Sequence, residues 1–441
     1  MSVTAVDEEA AERLSRALGG HPPVVHAEAF VYPAAAPAFE SAPGAVRPRL
    51  AADRLRLYVH VPFCNYKCSF CHFATRVDDS RDLRERYVAA VARELEWIEP
   101  NTPLVQLFVG GGTPTALPAD LLDRLLGAVF ERVTPFGHEV HTVEASPESI
   151  TEAHVRVLRS RGVGRVSMGV QSLEDGVLEA VHRRHGREQV TAAIDLVVGS
   201  GLILNVDLMY GLPGQTEDSF RRDLEAVAAR GVHSVTLYGL RVTEKSAVGR
   251  ALAAEGRRLD LARLLRWRRF VAGTAGDLGF LRVRPHTFKR PGTVADRHRR
   301  VVCFDEKVLG HQLGVGMSAR STLGEHVYRN HRGTDEYVAR LEAGRSPVDA
   351  AIRLDEADRK TKFVARSLGE GLPLSRAAYE RAFGVAVERE FGEPLDRLAA
   401  AGLVTRGDGS ITLTETGHLL YDRVLLNFYP KRALAWLRSH A

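Results

Sequence analysis

Cysteine is scarce in this chain: four in 441 residues, and three of them, Cys64, Cys68 and Cys71, fall within eight consecutive positions. A disulfide-stapled secreted domain spaces its cysteines to clip distant loops. The clustering argues against that class and for thiol ligation of a metal or cluster in a reducing cytoplasm, with Cys303 a plain thiol. Long apolar runs are missing too. No stretch approaches the roughly 20 residues of a membrane helix. The first segment, MSVTAVDEEAAERLSRALGG, has early acidic residues and no apolar centre, unlike a secretory leader. No nucleic-acid-binding motif is present. The net charge of +5 is carried mostly by arginines spread along the chain, which reads as solvated helix faces. No nucleic-acid and no membrane partner is expected.

What is present is an ordinary globular balance, 45% hydrophobic and 26% charged residues. The length implies two or three domains. Residues 1–50 form an Ala- and Pro-rich N-terminal arm whose Phe30, Tyr32 and Phe39 favour a strap packed over a domain. From residue 56 to about 240, short apolar runs at 57–61, 105–109, 140–144, 165–170, 204–209 and 234–238 alternate with amphipathic stretches at 81–98, 119–132, 151–161 and 216–230. Strand–helix alternation predicts a parallel sheet with crossover helices, and six units suit an α/β part-barrel. The core is expected over 51–330, with 280–330 extending the sheet. Residues 331–441 read as a C-terminal helical, winged-helix-like domain, with Asp408-Gly409 turning a hairpin.

Parallel α/β folds place their chemistry at the carboxyl ends of the strands. Here the first strand runs into the cysteines and the second into Gly110-Gly111-Gly112-Thr113-Pro114-Thr115. The later strands end at Glu144, at Gln171, near Asp207 and near Tyr238. The cysteines are spaced three residues, then two. Structural zinc prefers four protein ligands, and His72 is the one further candidate nearby. Three thiolates on an iron–sulfur cluster would leave one iron open to a ligand, where ferredoxin sites use four cysteines.

This CxxxCxxC loop, with Phe70 before its last cysteine, resembles the radical S-adenosylmethionine superfamily. That resemblance implies a 4Fe–4S cluster on Cys64, Cys68 and Cys71. Its open iron would chelate S-adenosylmethionine, and one electron would release a 5′-deoxyadenosyl radical. The stretches YVHVPFC from Tyr58, RVSMGVQS from Arg165 with Arg183 beyond it, DLMYGLPGQT from Asp207, GVGMSA from Gly314 and LTETG from Leu413 resemble, more narrowly, the oxygen-independent coproporphyrinogen III oxidase family. The likeness covers about residues 55–430. It implies two S-adenosylmethionine molecules in one site. Tyr58, Phe70, Gly111 and Glu144 would hold the first; Gly112, Thr113, Gln171, Arg183 and Asp207 would hold the second, with the 238–241 segment from Tyr238 lining the cavity. Read as residues alone, Glu144 and Asp207 are buried carboxylates in need of partners. Ribose hydroxyls, an ammonium group or an arginine such as Arg183 would serve, as would a structural ion pair.

Three departures bear on the substrate. Phe73 stands where the oxidases carry a further cysteine, Arg320 replaces a nonpolar residue, and Tyr238-Gly-Leu-Arg241 replaces a Tyr-Ala-type segment. They put methyl or methylene transfer from a second S-adenosylmethionine to an sp² carbon of a small unsaturated metabolite narrowly ahead of porphyrinogen decarboxylation. A haem chaperone is a further alternative, with His60, His72 and His311 as candidate axial ligands. That class generally lacks the long arm seen here. The expected partners are a small-molecule substrate and an electron donor such as flavodoxin or ferredoxin, for a cytoplasmic monomer.

Overall fold

The structure, a computed structural model, describes residues 14–16, 18, 40–41, 55–78, 80–241, 246–254, 261–293 and 312–439. Six strands run parallel as hydrogen-bonded neighbours in chain order: β1 (Leu55–Val61), β2 (Thr102–Gly111), β3 (Thr142–Ala145), β4 (Arg165–Gln171), β5 (Ile203–Tyr210) and β6 (Ser234–Gly239). The helices between them include α1 (Arg81–Leu95), α2 (Ala119–Arg132), α3 (Glu152–Ser160), α4 (Arg187–Gly199) and α5 (Glu217–Ala229). Local signals set several starts. The Ser80 hydroxyl accepts from the Leu83 amide ahead of α1, and capping boxes at Thr151 and Thr216 open α3 and α5.

Alternation along the strands decides which face becomes core. Val166, Met168 and Val170 on β4 and Leu204, Val206 and Leu208 on β5 are fully buried in the main hydrophobic core. Each such side chain contributes about 1.5–3 kcal/mol of burial. On the other face Ser167, Asn205 and Asp207 are polar and bond to one another and to Ser234 and Thr236 of β6. The Asn205 amide donates to Ser167 Oγ at 3.1 Å and to Asp207 Oδ1 at 2.7 Å. Asn205 Oδ1 accepts from Ser234 Oγ at 2.8 Å and Thr236 Oγ1 at 3.1 Å. The face that carries these side chains is thus a buried polar layer rather than a second apolar core.

Among the described residues the sheet has 14 strands, and its path does not close on itself. Beyond β6 it continues through the antiparallel strands Thr287–Lys289 and Leu281–Arg282. Beyond β1 it continues through β7 (Gln312–Val315), parallel to β1, and then Arg320–Leu323, His326–Asn330, Val348–Arg353 and Glu40–Ser41.

This moves the expected boundary at 331. Strand Val348–Arg353 pairs within the main sheet, and Tyr337, Val338 and Leu341 of helix Thr334–Glu342 are buried in the main core. The periodicity of that helix marked it as helical but could not say which core it faced. A second core is built around α6 (Glu356–Gly369). Here Leu374–Ser375, Ser410–Leu413 and Val404–Arg406 form a three-stranded sheet beside helices Arg376–Phe383 and Val387–Ala400, a winged-helix-like arrangement. Leu14 and Leu18 are buried in this second core, and Glu40–Ser41 pairs with Ala350 and Ala351. Phe30, Tyr32 and Phe39 of the arm, with Cys303 and His311, lie outside the described residues. No described helix is long and apolar enough to cross a membrane.

Candidate active site

The cysteine loop leaves the carboxyl end of β1 and is closed by its own backbone. Phe63–Cys64 pairs with Arg76–Val77, and the Arg76 amide donates to the Pro62 carbonyl at 2.8 Å. The Gly112 amide donates to the Val61 carbonyl at 2.7 Å and the Thr113 amide to the Phe63 carbonyl at 2.8 Å, so the glycine loop after β2 lies directly against the cysteines. Gly111 adopts φ +115°, and a Cβ there would sit 2.6 Å from the His60 ring. A Cβ on Gly112 would sit 2.6 Å from the Pro62 carbonyl oxygen. Only hydrogen fits at either position.

Cys64, Cys68 and Cys71 are free, partly exposed thiols. Cys64 Sγ lies 3.8 Å from Thr113 Oγ1, and the Cys71 amide donates to the Cys68 carbonyl at 3.1 Å. Burial pushes the Cys64 thiol up to about 12, aided by the neighbouring Cys71 and Cys68, and burial likewise pushes Cys71 up. Such mutually repelling sulfurs need a cationic centre to become thiolates. A 4Fe–4S cube, which takes each thiolate on a different iron, matches this donor set.

The other strand ends contribute as follows. Glu144 Oε2 on β3 accepts from the Gly111 amide at 3.1 Å. Tyr58 on β1 stacks on Phe108 with centroids 6.2 Å apart and bonds His60 Nδ1 at 3.0 Å. Phe70 packs against Val177, Val181, Met209, Leu212, Leu240 and Val248. Gln171 ends β4 at φ +75°, an uncommon conformation for a residue with a side chain, of the kind that clusters at functional sites. Asp207 on β5 faces the polar network, and burial pushes it up to about 6 against the pull of Arg165. Tyr238 on β6 is exposed at the rim, its ring 5.0 Å from that of His286.

Arg183 is not the partner of Glu144 or Asp207. Its Nη1 donates to Cys68 Sγ at 3.4 Å and its Nη2 to the Gly169 carbonyl, beside the cysteines. The guanidinium whose charge acts on Asp207 is Arg165, which is buried, has an unpartnered Nε and reaches Thr142 Oγ1 at 3.5 Å. Alternation within RVSMGVQ already placed Arg165 on the same face as Ser167, so this signal was readable. The sequence offers His60 as an axial-ligand candidate. Instead its Nε2 meets the Ala74 carbonyl at 2.9 Å and burial lowers its pKa to about 4. Glu148 and His185 carried no sequence signal. Burial pushes Glu148 up, but the His185 hydrogen bond at 3.0 Å, the Arg183 charge and Ser146 bring it down to about 2.

The family model of the Radical SAM superfamily matches residues 58–227. The chain is 30% identical to an oxygen-independent coproporphyrinogen III oxidase of Cereibacter sphaeroides, covering 81% of this chain and 84% of that one. It is also 30% identical to the heme chaperone HemW of Mycobacterium tuberculosis, covering 84% and 93%. Among solved structures it is similar to coproporphyrinogen III oxidase from Escherichia coli, described as a radical SAM enzyme, with a TM-score of 0.74, 26% identity and coverage of 86% and 91%.

Proposed function

Because the chain belongs to the radical S-adenosylmethionine superfamily, in its oxygen-independent coproporphyrinogen III oxidase-like family, we propose that it is an oxidoreductase of the coproporphyrinogen type. Its substrate would carry a propionate side chain. The single observation that carries this reading is the packing of the three-cysteine loop against the Gly111–Gly112 backbone at one mouth of a polar part-barrel. The sequence by itself put methyl or methylene transfer first; the named relatives favour decarboxylation.

Cys64, Cys68 and Cys71 would hold a 4Fe–4S cluster. The backbone at Gly111, with Glu144 on its amide, and the aromatic surfaces of Tyr58 and Phe70 would hold S-adenosylmethionine. When bound, these groups would supply a hydrogen-abstracting 5′-deoxyadenosyl radical, the chemistry that oxidative decarboxylation of a propionate to a vinyl group, with carbon dioxide released and one further electron passed to an acceptor, would draw on. The chain's own contribution is positional. Tyr58 is oriented by His60, the inner polar face keeps Asp207 beneath the mouth, and Phe70 buttresses the cysteine loop through its apolar neighbours.

One observation favours a second reading, methyl or methylene transfer from a second S-adenosylmethionine held by Gly112, Thr113, Gln171 and Asp207. Phe73, 61% exposed and stacked on His72 at 4.9 Å, occupies the place of the oxidases' further cysteine. A porphyrinogen reaction that depends on that thiol cannot run here.

The test is anaerobic reconstitution, dithionite, S-adenosylmethionine and coproporphyrinogen III. Carbon dioxide and 5′-deoxyadenosine support the first reading. S-adenosylhomocysteine with carbon gain on an added alkene acceptor supports the second. Tight haem binding without cofactor cleavage would replace both with a carrier role. Changing Cys64, Cys68 and Cys71 to alanine should abolish the cluster's electron paramagnetic resonance signal; a signal that survives sinks the reading entirely.

A further inference from the structure

We propose that Arg183 raises the reduction potential of the cluster by donating an N–H···S hydrogen bond to the Cys68 thiolate, an inference that rests on the radical S-adenosylmethionine reading above. The Nη1–Sγ separation is 3.4 Å across 115 residues of sequence. A guanidinium keeps its charge at any ordinary pH and presents a rigid fork of donors. Hydrogen bonds and positive charge at a ligating sulfur stabilise the more negative, reduced form of the cluster.

Three features show that the guanidinium is held in place. Its second terminal nitrogen is spent on the Gly169 carbonyl of β4. Its plane lies over the Tyr66 ring at 5.7 Å, and Arg184 lies over the same ring at 5.5 Å. No described carboxylate comes within 4.0 Å of it, so no ion pair neutralises the charge before it reaches the sulfur. The carboxylate whose charge acts on it is Glu148, itself engaged by His185 at 3.0 Å and Ser146 at 2.7 Å. The family resemblance gives Arg183 to a second S-adenosylmethionine. With both terminal nitrogens committed, only its Nε, buried and without a partner, is left for a ligand.

The experiment uses the full chain, reconstituted anaerobically as wild type and as Arg183→Lys, Arg183→Gln and Arg183→Met. Iron and sulfide are counted, and midpoint potentials are read by electron paramagnetic resonance during redox titration without S-adenosylmethionine. The expected result is full iron content with a more negative midpoint in the Gln and Met variants. Arg183→Lys should lie between them and wild type, because it keeps the charge and loses the fork. Tyr66→Leu, which removes only the stacking surface, should shift the midpoint the same way by less. Wild-type potentials in all three Arg183 variants overturn the proposal. So does loss of iron from all three, which would make Arg183 part of the cage rather than a regulator of potential. A wild-type chain that takes up no cluster sinks the functional reading instead, and the two failures are therefore distinct.

Discussion

His60 Nε2 and the Ala74 carbonyl oxygen stand 2.9 Å apart, joining the end of the first barrel strand to the far side of the cysteine loop. A carbonyl can only accept, so Nε2 carries the proton and Nδ1 is left to accept from the Tyr58 hydroxyl. One imidazole thus closes the cysteine loop and aims a tyrosine at the candidate cofactor site. His60→Phe leaves the Ala74 carbonyl and the Tyr58 hydroxyl without this partner. It should cost about 1–3 kcal/mol of stability and lower iron uptake, as read by chemical denaturation and iron analysis. A variant with unchanged stability and full iron content would contradict this role.

Gly111→Ala should be the most damaging single change in the glycine loop. The Cβ would meet the same His60 ring at 2.6 Å while φ stays at +115°. Backbone strain of that kind costs about 1–3 kcal/mol before the clash is counted. We expect S-adenosylmethionine affinity, measured by equilibrium dialysis, to fall by about tenfold or more, the equivalent of about 1.4 kcal/mol. Gly162→Ala, where nothing lies within 4 Å of the added carbon, serves as the control for strain alone at φ +72°.

Asp207 should make the fold less stable as pH rises from about 4 to about 6. Its carboxyl, pushed up to about 6 by burial, holds a proton in the folded chain that the unfolded chain has already lost. Above pH 6 it is a buried anion with a net cost, at most about 3 kcal/mol for a shift of this size. Asp207→Asn should therefore gain stability relative to wild type from pH 4.5 to pH 7 in urea titrations. Asp223, pushed up to about 6 by burial as well, and His60, lowered to about 4, also act in this window. The wild-type-minus-variant difference isolates Asp207; a flat difference would remove the argument.

The two cores are joined by a buried bidentate pair, Arg268 Nη1 to Asp422 Oδ1 at 2.9 Å and Nη2 to Oδ2 at 2.7 Å. Arg268→Met leaves a carboxylate buried without its counter-charge, which costs about 3–5 kcal/mol. Arg268→Met with Asp422→Leu should recover much of that loss, because no charge then stays buried. Thermal unfolding of both variants checks the order. If the double variant is no better than the single one, the pair does not act as a unit.

Much of the frame was readable beforehand. The six parallel strands lie within a few residues of the apolar runs, because each run is long enough to span the sheet and is followed by an amphipathic helix or a loop. The glycine and cysteine loops were readable as neighbours because consecutive parallel strands end side by side. The boundary at 331 was not readable. A helix with one apolar stripe, such as Thr334–Glu342, can pack on either of two cores, and its periodicity is the same in both cases. Phe73, Arg320 and the 238–241 segment point to methyl or methylene transfer, but three local differences do not outweigh similarity spread over most of the chain.

The sequence by itself determined the spacing of the cysteines, the order of the strands and the polar alternation of β4 and β5, since each depends on residues close together along the chain. Only the tertiary structure decided that Arg183 turns to Cys68, and that Leu14 is buried with the last helices. Those pairings join residues far apart in sequence. A charged or apolar side chain carries no record of its partner until folding brings one within a few ångströms and removes the water between them.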